Sequence, residues 1–356
     1  MRSLIIILFF YLISSSAFAQ EKYLIYFKDK GDFGKETLSK TTVKVNLAKL
    51  ILSEKSIERR RKSMGNDFIT FQDLPISENY VDQLRANNVQ IVHKLKWFNA
   101  VSAIINSSDL STVKNLKFVD KIEKVKKLKS ITPITNAEQS SNLNKINATD
   151  VYDYGQSLTQ YQLSDIPQVH DLGFTGEGIT IGILDSGFEW KKLTSLKDRN
   201  VIAEHDFIYN DNVTANDSKD TTENNFTQHN HGTAVFSILA GFDQGNLVGP
   251  AFNSNFILAK TEYIPSETHA EEDNYAAALE WMDSIGVDIT TSSLGYSEFD
   301  TQEFSYTYSD MNGSTTIVTQ AAELAFERGI VVITSAGNEG NNSWHYITAP
   351  GDGFNT

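Results

Sequence analysis

The sequence predicts an α/β domain, a mostly parallel sheet flanked by helices on both faces, preceded by a small α+β unit. Three observations carry the prediction. From about residue 161 onward, apolar β-rich runs at 178–184 (GITIGIL), 256–260 (FILAK), 287–291 (VDITT) and 330–334 (IVVIT) alternate with stretches of helical periodicity. The first run is almost wholly apolar, as a strand buried on both faces must be. Residues 131–160 are rich in Thr, Ser, Asn and Gln and poor in large apolar side chains. They read as a linker or processing segment, dividing the larger domain (161–356) from an N-terminal unit (20–130).

In the N-terminal unit strands alternate with two helices. Residues 22–27 (KYLIYF) form a strand. Ser77 caps a helix that runs through Leu84 and is ended by the Asn87-Asn88 pair. Residues 89–92 and 97–105 are strands, Ser108 begins a short helical stretch, and 118–125 closes with a strand, giving a compact split βαβ pattern. In the larger domain Ala278, Trp281, Met282 and Ile285 share one helical face, as do Ile317, Ala321, Leu324 and Ala325. A third helix covers 231–240. Gly286, Gly329 and Gly241 follow the three helices, the residue type favoured just past a helix end.

The 356 residues are 40% hydrophobic and 21% charged, an ordinary globular composition that suffices for two cores. The start of the chain differs. Arg2 precedes an apolar run at 4–13 and then Ser14-Ser15-Ser16-Ala17-Phe18-Ala19. This is the layout of a signal peptide (1–19) cleaved after Ala19, so the product is expected to be secreted or held at the cell surface. The run is too short for a membrane anchor, and no internal stretch makes a transmembrane segment. The absence of cysteine excludes disulfides, a thiol nucleophile and a thiolate zinc site. The net charge of −14 is unevenly divided: residues 21–145 hold 23 Lys and Arg against 14 Asp and Glu, and residues 146–356 hold 7 against 31. Two bodies of opposite sign should attract each other. Arg59-Arg60-Arg61-Lys62 is the one dense basic cluster, too little in an exported chain to imply nucleic acid as a partner.

Active sites on open parallel sheets gather at the carboxyl ends of the strands. Asp185-Ser186-Gly187 stands after the first run, Ser292-Ser293-Leu294-Gly295 after the third and Ser335-Ala336-Gly337-Asn338 after the fourth, with His231-Gly232-Thr233 opening a helix. An acid, a base and an amide donor can therefore converge on one sheet edge. Taken singly, each has a plainer reading as a turn former or cap. His93, His170, His205, His269 and His345 lack such a setting and default to structural or solvated roles.

Taken together and in this order, ILDSG at 183–187, HGTAV at 231–235, SSLG at 292–295 and SAGN at 335–338 resemble the subtilisin-like serine proteases, the subtilases. The resemblance covers roughly 160–356, and Asp before His is the subtilisin order. It implies that His231 is the general base, that Asp185 orients and stabilises its imidazolium, and that Asn338 donates its amide to the tetrahedral oxyanion. Ser293, Leu294 and Gly295, with Ser335, Ala336 and Gly337, would form two edges that pair with a polypeptide substrate and wall its first specificity pocket. The N-terminal unit would be a propeptide, a folding chaperone and intramolecular inhibitor lying over the active-site edge and cut away after folding.

The family's serine segment, G-T-S-x-A/M, does not occur; Gly313-Ser314-Thr315 precedes Asn338 and does not match. The expectation is a fragment whose nucleophile lies beyond residue 356. The alternative is a catalytically inactive subtilase-fold protein used for binding or adhesion. His229 and His231 could also form an H-x-H metal pair in a metal-dependent hydrolase, although no third ligand is in register. The chemistry requires no cofactor. Subtilases often bind calcium, and the acidic stretch 206–223 is the candidate for a structural calcium, with no ligand assigned.

Overall fold

The computed structural model of the protein describes residues 20–38, 41–125, 150–217, 228–264, 270–297 and 305–356. The expected signal peptide, most of the linker, positions 218–223 of the acidic stretch and His269 lie outside these residues.

The N-terminal unit runs β1 (Gln20–Phe27), α1 (Thr41–Ile51), α2 (Glu54–Met64), α3 (Glu78–Ala86), β2 (Gln90–Leu95), β3 (Ala100–Asn106), α4 (Leu110–Lys114) and β4 (Val119–Val125). Its strands form one antiparallel sheet in the order β2-β3-β1-β4. Successive side chains of a strand face opposite ways, and β1 uses both faces. Tyr23, Ile25 and Phe27 pack under α3 and α4 with Val81, Leu84 and Val113. Leu24 and Tyr26 pack the other way, into the core of the larger domain. Two expectations need correction. The segment predicted as a strand from 97 is a turn until Ala100, and Trp97 in that turn is buried against the larger domain. Among its described residues the unit also has four α-helices rather than two. Helix α2, EKSIERRRKSM, has almost no apolar stripe to read, whereas α1, TTVKVNLAKLI, carries Val43, Leu47 and Leu50 at helical spacing and was readable but passed over.

In the larger domain α5 (Leu158–Gln162) and α6 (Ile166–Asp171) precede β5 (Thr180–Asp185) and β6 (Asn200–Asp206). Then come α7 (Asn230–Ala240), a small hairpin of β7 (Phe242–Asp243) and β8 (Leu247–Val248), and β9 (Asn255–Lys260). The described chain ends with α8 (Ala270–Ile285), β10 (Ile289–Ser292), α9 (Ile317–Glu327) and β11 (Val331–Thr334). The sheet order is β11-β10-β5-β9-β6, with every pair parallel. Ile181 and Ile183 of β5 face Phe236 and Ala240 of α7, while Leu184 faces Leu279 and Met282 of α8 and Ala321 and Ala325 of α9. Gly182 lies under α8, where a Cβ would meet the Met282 sulfur at 2.5 Å. Helices therefore cover both faces, as predicted.

The antiparallel sheet lies on the outer side of α8 and α9, so those helices form a layer between two sheets. The opposite charges meet there. Lys22 pairs with Asp273 at 2.9 Å, Lys55 with Asp288 at 2.5 Å, and Arg59 and Arg60 both with Asp283. Asp73 returns the exchange, accepting from Arg328 at 3.2 Å as well as from Arg60 at 3.0 Å. Ser53, the N-cap of α2, donates through its hydroxyl to Ile285 O and through its N–H to Ser284 O, satisfying carbonyls at the end of α8. The basic cluster is thus an interface: Arg59 and Arg60 are buried, not a solvated patch.

Candidate active site

Parallel strands bring every carboxyl end to one edge. Asp185 closes β5 with its carboxylate fully buried, and Ser293–Gly295 and Asn338 leave the ends of the neighbouring β10 and β11. His231 is the second residue of α7. Its Nδ1 lies 2.8 Å from Asp185 Oδ1 and 3.0 Å from Oδ2. The same carboxylate accepts from the Ser186 N–H at 2.7 Å and hydroxyl at 3.0 Å, which fixes its orientation. Such proximity of helix to strand requires Gly232, where a Cβ would overlap Gly187 O and stand 2.9 Å from Asp185 Cβ.

The carboxylate partner sets the imidazole's chemistry. The hydrogen bond to Asp185 raises the His231 pKa above its ordinary 6.5, against an opposing effect of burial. With Nδ1 bound to a carboxylate, the neutral ring carries its proton there and leaves Nε2 as the base. Among the described residues nothing bonds Nε2, and the side chain is 51% exposed. Asn338 is exposed at the same edge, two strands from Asp185, and no hydrogen bond joins it to the acid–base pair. Ser293 and Gly295 are exposed, Leu294 is half-buried, and Ala336 and Gly337 line an open cleft of about 480 Å³ with Tyr308, Glu339, Tyr346 and Ile347.

His229 does not join His231. Its Nδ1 accepts from the Asn216 N–H at 3.0 Å. Among the described residues no three His, Asp or Glu side chains cluster as metal ligands would. Asp206 pairs with Lys260 at 2.8 Å and accepts from the Ile208 and Tyr209 N–H groups, while Asp211 accepts from Val213 N–H. The N-terminal unit's described residues cover α8 and α9 and leave the carboxyl edge open, so the expectation of direct cover there is not met by them. Strand β4 ends beside Lys22 and Asp273, in the first turn of α8, and residues 126–149, which follow, lie outside the described residues.

Gln228 was missed. Its buried side chain donates to Ser186 O at 2.7 Å and to Glu262 O at 2.5 Å, and accepts from Ile264 N–H at 3.0 Å. It ties the loops after β5 and β9 to the start of α7. A lone glutamine in a polar loop carries no pattern that would reveal this.

Residues 176–354 match the model of the subtilase family, and residues 22–145 match that of the peptidase S8 propeptide domain of Bacteroidota. The chain belongs to the subtilase family. Among curated subtilases it is 30% identical over 183 residues to the minor extracellular protease Vpr of Bacillus subtilis (strain 168), covering 51% of this chain and 20% of Vpr. It is 26% identical over 194 residues to subtilisin E of the same organism, covering 54% of this chain and 42% of that protein. The chain therefore spans less than half the length of these relatives. Fervidolysin from Fervidobacterium pennivorans, a keratinolytic enzyme related to subtilisin, shares the fold with a TM-score of 0.53 at 18% identity, over 94% of this chain and 42% of its own.

Proposed function

We propose that the full-length protein is a secreted serine endopeptidase, made with a signal peptide and an N-terminal propeptide that holds it inactive until removed. The reading rests above all on the His231–Asp185 hydrogen bond at the carboxyl edge of the sheet, a buried carboxylate behind a half-exposed imidazole. In this reading a serine hydroxyl of the full-length protein attacks the peptide carbonyl, and His231 Nε2 takes its proton. Asp185 keeps the ring in the required tautomer and stabilises the imidazolium without itself being protonated. Asn338 donates its side-chain N–H groups to the oxyanion as it forms, and His231 returns the proton to the leaving amine. Ser293–Gly295 and Ser335–Gly337, open at the same edge, bind the substrate in extended form between them.

Fluorophosphonate labelling of the full-length protein tests the reading. The parent should be labelled and should cleave peptides, and His231→Ala should lower the rate by about 10⁴-fold or more. Absence of labelling in a correctly folded, propeptide-free parent favours the binding protein instead.

A further inference from the structure

Helix α7 carries His231 in its first turn, and that turn has no side-chain cap among the described residues. It must nonetheless hold the imidazole within 3.0 Å of a carboxylate on another element. The helix cannot move closer to the end of β5, where only glycine fits at 232, and moving away opens the bond to Asp185. Gln228, two residues before the helix and fully buried, supplies the anchor that the cap does not. A side-chain amide has two N–H donors and a carbonyl acceptor, and all are in use here. Its nitrogen donates to Ser186 O and Glu262 O, and its oxygen accepts from the Ile264 N–H. Two carbonyls can only accept and a backbone N–H can only donate, so the amide lies one way round. The Ser186 carbonyl it grips belongs to the residue whose own N–H and hydroxyl hold Asp185 Oδ1 at 2.7 and 3.0 Å. Asp185, Ser186, Gln228 and His231 thus form a closed circuit of contacts. A second tie runs beside it, from the Glu189 N–H to Thr233 Oγ1 at 2.8 Å.

We propose that Gln228 is a positioning residue for the acid–base pair: it pins the start of α7 to the loop after β5, so that His231 Nδ1 stays on the Asp185 carboxylate while Nε2 takes and returns the proton. The proposal rests on the peptidase reading above. Being fully buried, Gln228 is out of reach of substrate and acts through Ser186 and the first turn of α7. A misplaced catalytic group is costly, about a hundredfold in rate for a shift of about 1 Å. The substrate edges, by contrast, leave the ends of β10 and β11 and do not belong to α7. Loss of the Gln228 bonds therefore falls on kcat rather than KM. A looser bond to Asp185 also withdraws what raises the His231 pKa above 6.5, so the imidazole sheds its proton at lower pH.

The test uses the full-length protein, with kcat, KM and their pH dependence measured on a chromogenic peptide anilide and urea stability measured on the same samples. Gln228→Met keeps the length of the side chain and removes all three bonds. Gln228→Asn, a milder change in case methionine prevents folding, keeps an amide that is one carbon too short to reach all three partners. Each lowers kcat about tenfold or more and leaves KM within about threefold of the parent. Each also moves the acid limb of kcat/KM down toward pH 6.5, and NMR titration of the His231 imidazole shows the same fall in pKa. Loss of stability alone moves neither. Tyr161→Phe is the control: its hydroxyl donates to Ile238 O at 2.6 Å, near the far end of α7, and removing it lowers stability without changing kcat or the acid limb. An unchanged kcat and His231 pKa in Gln228→Met, or in Gln228→Asn where methionine does not fold, overturns the proposal and leaves the peptidase intact. So does a loss confined to KM, or a Tyr161→Phe protein that loses kcat to the same extent. A folded full-length protein that neither cleaves peptides nor is labelled by a fluorophosphonate overturns the peptidase reading and this role for Gln228 with it.

Discussion

An imidazole accepts a proton only when neutral, so the hydrogen bond that makes His231 a better base also protonates it more readily. Asp185 raises its pKa above the ordinary 6.5, so the imidazolium persists to higher pH. The rising limb of kcat/KM should therefore lie above that value in the full-length protein. Asp185→Asn should move the limb to lower pH while cutting the rate by about 10⁴-fold, because the ring loses its tautomer as well as its charge partner. A pH series of initial rates for the two proteins reads both effects. His93 works the other way. Burial lowers its pKa below 6.5 at the boundary between the two units. Asn274 uses its Nδ2 on Thr261 O, so its Oδ1 must accept from His93 Nε2–H at 2.8 Å, and the neutral ring is satisfied. A group whose folded pKa is depressed resists protonation that the unfolded chain allows. The stability tied to His93 is thus intact above about pH 6.5 and falls as the pH drops below it. The urea midpoint of the parent should fall more between neutral pH and pH 5 than that of His93→Gln. Comparing the two removes the opposing effect of Glu280, whose buried carboxyl has a raised pKa.

Helix α8 shows what a sequence reveals of an element and what it conceals. Its predicted apolar face, Ala278 and Met282 with Trp281 and Ile285, does meet the parallel sheet, and β5 was legible because burial on both faces demands an apolar run. Asp185 and His231 were not legible singly, since each alone reads as a turn former or cap; the order of four motifs resembling the subtilases singled them out, and the fold brings the two side chains together. On its other side α8 buries Asp273, Asn274, Glu280 and Asp283, which read as a solvated face until the N-terminal unit covers them. Arg59 and Arg60 on α2 were hidden likewise, since a charge is buried only when its partner is, and the carboxylate they share, Asp283, lies more than 200 residues away. Burial pushes the Asp73 carboxyl pKa up, but the Arg60 and Arg328 guanidiniums outweigh it and hold that carboxyl well below the usual carboxylate range. Asp283 is the centre of this network, accepting from both Arg59 and Arg60. Asp283→Ala leaves the buried Arg59 guanidinium without a carboxylate and Arg60 with Asp73 alone, and should destabilise the intact chain by about 3–5 kcal/mol in urea unfolding. Lys55→Ala, which breaks the partly exposed pair with Asp288 and leaves the Asp288 carboxylate on the Thr180 N–H, should cost about 1 kcal/mol or less. Equal losses would mean that burial does not govern these pairs.

For the whole molecule, the opposite charges of the two units should govern how fast they meet more than how tightly they stay together. At a distance the N-terminal unit presents a positive surplus to a strongly negative partner, an attraction that salt shortens from about 10 Å at 0.1 M to about 3 Å at 1 M. Once the units are docked, the charges that matter are Lys22, Arg59 and Arg60 against Asp273 and Asp283, all out of water and reached poorly by screening ions. Around them the contact is apolar: Leu24, Leu95, Trp97 and Val125 lie on α8 and α9, and the Arg328 guanidinium sits 4.3 Å over the Trp97 ring. Added salt strengthens such apolar contacts if it changes them at all. Stopped-flow mixing of the N-terminal unit with the remainder of the protein should therefore show an association rate that falls about tenfold or more between 0.05 and 1 M salt. The dissociation rate should change by no more than a factor of about three over the same range, since it reports the short-range contacts. If dissociation instead accelerates in step with the loss of association, the buried pairs are exchanging with solvent and the arginine–aspartate network is not what keeps the units together.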